Sequence, residues 1–168
     1  VEKNEKEAVR WYRLAAEQGH ARAQFKLGIM YDLGEGVEKN EKEAARWYRL
    51  AAEQGHAEAQ FNLGERSEQG QGVEKNEKEA VRWYRLAAEQ GDAQAQFNLG
   101  FRYDKGQGVA KNEKEAVRWY RQAAEQGDPI AQFNLGVQYE EGQGVAKNEK
   151  EAVRWFRLAA EQGDAHAQ

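Results

Sequence analysis

Three kinds of chemistry could be sought in these 168 residues: nucleophilic attack, metal binding and acid–base transfer. Their side chains are either scarce or crowded together. A nucleophile needs a Ser, Thr or Cys with a base beside it. The chain has no Cys and no Thr, and Ser67 is its one serine. Ser67 stands 36 residues from both Tyr31 and Tyr103, so it reads as a lost aromatic ring rather than a nucleophile. Such a loss is expected to leave a cavity or small pocket costing about 3 kcal/mol unless the neighbours collapse. His20, His56 and His166 are separated by one or more repeats of the sequence. Metal ligands must all come within about 2 Å of one ion. Stacked helices lie about 8 to 10 Å apart, so equivalent positions do not converge. Carboxylates abound, but they sit in E-K-N-E-K-E-A and A-A-E-Q phrases interleaved with Lys and Arg. Pairs such as Arg49 and Glu53, four apart, contribute a few tenths of a kcal/mol and belong to a solvated face. The G-x-G pairs follow a helical pattern and are separated from the next cap. They therefore read as turns, not as a phosphate loop, which follows a strand and opens directly into a helix. No catalytic residue, metal or cofactor is expected.

The bulk properties exclude further classes. Lys and Arg number 25 against 29 Asp and Glu, a net charge of −4. A general attraction to nucleic acid or to an anionic membrane is not expected. An RNA-reading helical repeat would want a basic surface, and here the cations are matched by Glu. No apolar run approaches the roughly 18 to 20 residues that span a bilayer, so membrane insertion is not expected. Without Cys, disulfides and thiolate sites are excluded and the redox compartment stays open. A mean hydropathy of −1.04 leans toward disorder. Five Trp, seven Tyr and six Phe at regular positions lean the other way, since each supplies large buried area.

The elements that carry all these residues repeat. Val1, Val37, Val73, Val109 and Val145 each open the same phrase, 36 residues apart. One array over 1–168 is expected, with units 1–36, 37–72, 73–108 and 109–144 and a partial fifth, 145–168. Each unit holds two helical patterns. In the first, Asn40 precedes Glu43 by three, the spacing of a reciprocal capping box, and Asn4/Glu7, Asn76/Glu79, Asn112/Glu115 and Asn148/Glu151 repeat it. Ala44, Trp47, Tyr48, Ala51 and Ala52 then share one face, and Gly55 stops the helix. The second pattern begins with His56, or with Asp92, Asp128 or Asp164 in other units, as N-cap. Pro129 fits the first helical position. Gly28, Gly64, Gly100 and Gly136 fall mid-helix, where each costs about 1 kcal/mol against Ala. A cost taken at one phase in every unit implies close approach between helices. No strand pattern competes. A single unit cannot cover its own apolar face, so neighbours must stack.

These residues resemble the Sel-one-like repeat (SLR) family, a relative of the tetratricopeptide repeat. The family pattern A-x-x-W-Y-x-x-A-A-x-x-G, joined to A-x-x-x-L-G-x-x-Y-x-x-G-x-G-V, appears as Ala80, Trp83, Tyr84, Ala87, Ala88, Gly91, then Ala95, Leu99, Gly100, Tyr103, Gly106, Gly108, Val109. The match runs through the whole chain, with Ser67 and Phe156 as departures. The resemblance implies an all-α fold, an α-solenoid whose hairpins wind into a right-handed superhelix and whose L-G-x-x-Y helices line a concave groove. It also implies a non-enzymatic adaptor or scaffold that binds a protein or peptide. The disulfide-linked subclass of the family is excluded by the lack of Cys.

Specific recognition is expected where the units differ from one another. Along the L-G-x-x-Y helix one stripe varies: Arg22, Lys26, Ile29, Leu33 in the first unit, and Glu58, Asn62, Glu65, Gln69 in the second. It continues as Gln94, Asn98, Phe101, Lys105 and as Ile130, Asn134, Val137, Glu141. A flanking column holds Met30, Arg66, Arg102 and Gln138. Asn62, Asn98 and Asn134 could pair with a peptide backbone as donors and acceptors. Apolar residues among charges of both signs suit a protein contact. A spacer array, drift after duplication and a consensus-derived array are the competing explanations. The chain opens at Val1 inside a repeat, as a piece of a longer protein would. Its terminal aromatic helices (Trp11, Tyr12; Trp155, Phe156) are expected to be partly uncovered and to pack on flanking repeats or on another copy.

Overall fold

The computed structural model describes residues 2–166, with side chains described for 4–162. Nine helices and no strands occur among the described residues: α1 (Glu2–Glu17), α2 (Ala21–Leu33), α3 (Glu41–Glu53), α4 (Ala57–Gln69), α5 (Glu77–Glu89), α6 (Ala93–Lys105), α7 (Glu113–Glu125), α8 (Pro129–Glu141) and α9 (Glu149–His166). They gather into two compact bodies, the first reaching Ala87 and the second starting at Ala88. In the first body α2 packs between α1 and α3, and α3 packs on α4; in the second, α7 packs between α6 and α8, and α8 on α9.

The frame forms where the sequence places it. On α3, Ala44, Ala45, Trp47, Tyr48, Ala51 and Ala52 are all buried. Small Ala faces let neighbouring helices close in, and the Trp and Tyr rings fill what remains. Gly28 faces the Tyr48 ring, Gly64 the Tyr84 ring, Gly100 the Tyr120 ring and Gly136 the Phe156 ring. The mid-helix glycines are thus seats for the ring that follows 20 residues later.

The caps differ from the expectation in one respect. The Asn40 side chain does accept from the Lys42 and Glu43 N–H groups, both at 3.1 Å. The reciprocal half of the box is absent, because the Asn40 N–H donates to the Tyr31 carbonyl at 2.8 Å. The Asn76, Asn112 and Asn148 N–H groups likewise donate to the carbonyls of Ser67, Tyr103 and Tyr139. A carbonyl from the preceding helix takes the place of the glutamate, which turns instead to arginine: Glu43 to Arg46 and Glu151 to Arg154, each at 3.4 Å. The Asn4/Glu7 cap does not form. Asn4 lies inside α1. Asp164 does not cap a helix either, for α9 runs on through Gly163 to His166.

His56 caps α4 through its ring: Nδ1 accepts from the Ala59 N–H at 3.3 Å, and the ring stacks on Phe25 at 4.6 Å. Only neutral imidazole has that lone pair. Burial lowers the His56 pKa below 6.5, Arg22 and Lys26 add to the fall, and Glu58 opposes it. A lowered folded pKa means that this cap contributes stability above about pH 6.5 and loses it as pH drops through the folded value. Between pH 7.5 and 5, wild type should therefore lose about 1 kcal/mol more than His56→Asp, whose carboxylate stays ionised. Thermal melts of both at the two pH values check this, and parallel loss would refute the capping role.

Ser67 is fully buried, and its hydroxyl donates to the Leu63 carbonyl at 2.8 Å. In the first and fourth units the tyrosine hydroxyl here holds an arginine, Arg13 to Tyr31 at 2.6 Å and Arg121 to Tyr139 at 2.5 Å. Without that hydroxyl, Arg49 pairs with Glu79 at 3.0 Å, and Glu79 also accepts from the Trp83 indole at 3.3 Å.

Candidate recognition surface

The helices bearing L-G-x-x-Y are α2, α4, α6 and α8, each 13 residues long. Their fixed ends keep the variable positions in phase. Gly70 closes α4 in the left-handed region, with its N–H donating to the Arg66 carbonyl at 2.8 Å. At the other end the A-Q-F glutamines lock each helix to its predecessor. The Gln24, Gln60, Gln96 and Gln132 amides donate to the carbonyls of Ala16, Ala52, Ala88 and Ala124 at 3.0 to 3.1 Å. Their own oxygens receive further glutamines, Gln54 to Gln24 at 2.6 Å and Gln126 to Gln96 at 2.7 Å. The sequence reading missed this buried amide chain. Its signal was a pair of glutamines kept in every unit at positions that look like polar surface.

The expected stripe reaches solvent in both bodies. Arg22, Lys26 and Leu33 are exposed and Ile29 half-buried; Glu58 is exposed, with Asn62 and Glu65 half-buried. In the second body Gln94, Lys105 and Ile130 are exposed, and Asn98, Phe101, Asn134 and Val137 are half-buried. Burial, with Glu68 adding to it, raises the Glu65 pKa against the opposing charge of Arg66. Two residues are corrections: Arg102 and Gln138 are buried, as is their whole column with Met30 and Arg66. A position one residue past the stripe turns about 100° round the helix, from solvent into the packed interface. The asparagines are also partly engaged. Asn62 lies beside the Tyr48 hydroxyl, and Asn134 beside that of Tyr120.

Under the stripe, the buried column makes an ion-pair site in the first body. Arg66 pairs with Asp32, its Nη1 donates to the Gln71 carbonyl at 3.3 Å, and its guanidinium lies 5.3 Å from the Tyr48 ring centre. Burial, with Asp32 adding to it, pushes the Tyr48 phenol up to about 12, while Arg66 and Asn62 oppose the shift. In the second body the equivalent place is an open cleft of about 310 Å³ beside Asp104, Tyr120 and Gln138.

The terminal helices behave differently from each other. Trp11 and Tyr12 of α1 are exposed, as expected, at 61% and 38%. Trp155 of α9 is buried and Phe156 half-buried, because that face is turned onto α8. Among the described residues no group of three His, Cys, Asp or Glu is placed to hold a metal. No helix there is long and apolar enough to cross a membrane.

The Sel1 repeat family matches the chain in five consecutive segments, 1–20, 21–56, 57–92, 93–128 and 129–164. The chain is a member of the Sel1 repeat family. The Sel1 segments begin at the L-G-x-x-Y helix rather than at the valine, a different register of the same 36-residue period. Among solved structures, a Sel1 repeat protein from Oxalobacter formigenes is 45% identical, with a TM-score of 0.87 over 93% of this chain and 64% of that one. The protective antigen c5321 of uropathogenic Escherichia coli, which displays an SLR fold, is 42% identical, with a TM-score of 0.88 over 92% of this chain and 33% of that one. Helicobacter pylori cysteine-rich protein B is 27% identical, with a TM-score of 0.61 over 78% of this chain and 94% of that one. The chain thus spans less than two thirds of the first two. No curated protein matches it. The α-solenoid architecture is the Sel1 one, and Sel1 repeat proteins form a non-enzymatic scaffold family that generally mediates protein–protein interaction.

Proposed function

We propose that this chain is a scaffold that binds a segment of a partner protein along the exposed stripe of the L-G-x-x-Y helices. One observation carries this: outside the buried column of Met30, Arg66, Arg102 and Gln138, variation between units falls mainly on exposed or half-buried positions of those helices, while the frame of caps, rings and glutamines is largely kept. In the second body, Phe101, Ile130 and Val137 offer apolar contacts beside the amides of Asn98 and Asn134. A partner could bury the former and pair with the latter. A spacer array without a ligand would need no such surface.

Peptides selected from a displayed library against wild type test the proposal. The combined Phe101→Ala, Asn98→Ala, Asn134→Ala variant should bind them at least tenfold more weakly, a loss of about 1.4 kcal/mol, with its helical circular dichroism unchanged. Full retention of binding by the folded variant would remove the stripe from consideration.

A further inference from the structure

Asp104, Tyr120, Gln138 and Gln143 stand 72 residues after Asp32, Tyr48, Arg66 and Gln71. In the first body that place is filled from within by the Arg66 guanidinium, whose side chain is only 5% exposed. In the second body the filling is gone. Gln138 is shorter and uncharged, and its amide reaches Asp104 Oδ1 only at 3.5 Å. The Gln138 Oε1 is buried without a hydrogen-bond partner, and the buried Tyr120 hydroxyl has only the Asn134 amide beside it. The residues themselves are 3% and 1% exposed. Buried polar atoms left unpaired cost about 1 to 3 kcal/mol each, so native structures seldom leave them so. Beside them lies the cleft of about 310 Å³, which Phe101, Asp104, Tyr120, Asn134, Gln138 and Gln143 help to line.

We infer that this cleft receives the guanidinium of an arginine side chain from the partner, in the place that the chain's own Arg66 takes in the first body. The inference deepens the stripe proposal and rests on it, since Phe101 and Asn134 belong to both. The chemistry of the walls selects the ligand. Asp104, the Gln138 Oε1 and the Tyr120 oxygen are acceptors for a group with five donors in a planar fork. The Tyr120 ring offers a cation-binding face, as the Tyr48 ring does to Arg66. Phe101 and Val137 also line the cleft and offer apolar surface to the aliphatic stem. Glu141 also lines the cleft, and with Asp104 it repels an anion. Lysine brings a compact point charge with three donors and meets fewer of these acceptors. Lys105 now pairs with Asp104 at 2.7 Å, but its side chain is 53% exposed, so an incoming guanidinium displaces it cheaply.

The test uses the whole chain and three probes: acetyl-Gly-Arg-Gly-amide and its lysine and citrulline counterparts. Each is titrated while the side-chain amide signals of Gln138 and Asn134 and the ring of Tyr120 are followed by NMR. The arginine peptide should shift these signals saturably, with the citrulline peptide at least tenfold weaker and the lysine peptide between them. Gln138→Arg should close the cleft from within, abolish the response and raise Tm. Asp104→Asn should weaken the response at least tenfold and serves if Gln138→Arg does not fold. Equal responses to arginine and citrulline, or an arginine response undiminished in folded Gln138→Arg, would overturn the inference. Library peptides that depend on Phe101 but not on Asp104 would sink the cleft alone. Peptides indifferent to the triple substitution would sink the stripe.

Discussion

Gly72→Ala is expected to destabilise the first body by about 2 to 5 kcal/mol, more than one added methyl usually costs. Gly72 sits at φ +68° in the link between α4 and α5. A side chain there pays roughly 1 to 2 kcal/mol for the left-handed conformation. The second part of the cost is steric. A Cβ on Gly72 would lie within 2.1 Å of the Glu41 carbonyl oxygen and 2.9 Å of the Lys42 nitrogen. Both are backbone atoms in the first turn of α3, so no rotamer change relieves the contact, and overpacking adds roughly 1 to 3 kcal/mol. Gly55→Ala is the control. Gly55 has φ +89° but nothing within 4 Å of a built Cβ, so it pays the conformational part alone. Urea unfolding of the two variants separates the contributions. Equal midpoints would show that the approach of Gly72 to α3 does not matter.

What was legible in the sequence follows from how local each interaction is. The helix pairs, their glycine stops and the asparagine caps depend on residues within one or two turns, and they appear where the repeat puts them. The capping box failed in its reciprocal half because the winning acceptor, the Tyr31 carbonyl, lies nine residues upstream on another helix. His20 and His56 fill the same slot, yet only His56 accepts from the backbone. Phe25 stacks on His56 and holds its ring in place. Neither partner can be named from a local window. The candidate surface was half legible for a similar reason. Variation between units marked the right helices, but it cannot tell a position that varies because it meets a ligand from one that varies inside an interface. Arg66 differs for the second reason, and its burial shows it. The exchange of Arg for Gln became informative only once Asp104 and Tyr120 were seen beside it, across three different helices.

The mid-helix glycines allow a test in which local preference and packing pull in opposite directions. Ala is favoured over Gly inside a helix by about 1 kcal/mol, so Gly64→Ala would stabilise α4 if nothing stood opposite. The Tyr84 ring does stand there, with its Cδ1 and Cε1 carbons 2.8 Å from where a Cβ would be. That ring is fully buried, its hydroxyl donates to Glu68 at 2.8 Å, and its edge meets Phe61 with ring centres 5.9 Å apart. Held at both ends, it has little room to withdraw. Gly64→Ala should therefore lower stability by about 2 kcal/mol, overpacking exceeding the gain in propensity. In a Tyr84→Val background the clashing ring carbons are gone, and the same substitution should turn neutral or stabilising. The coupling between the two sites should then exceed about 2 kcal/mol. A Gly64→Ala change that stabilises both backgrounds alike would show that the ring is not why glycine holds this place, and the account of how the units close on one another would fall with it.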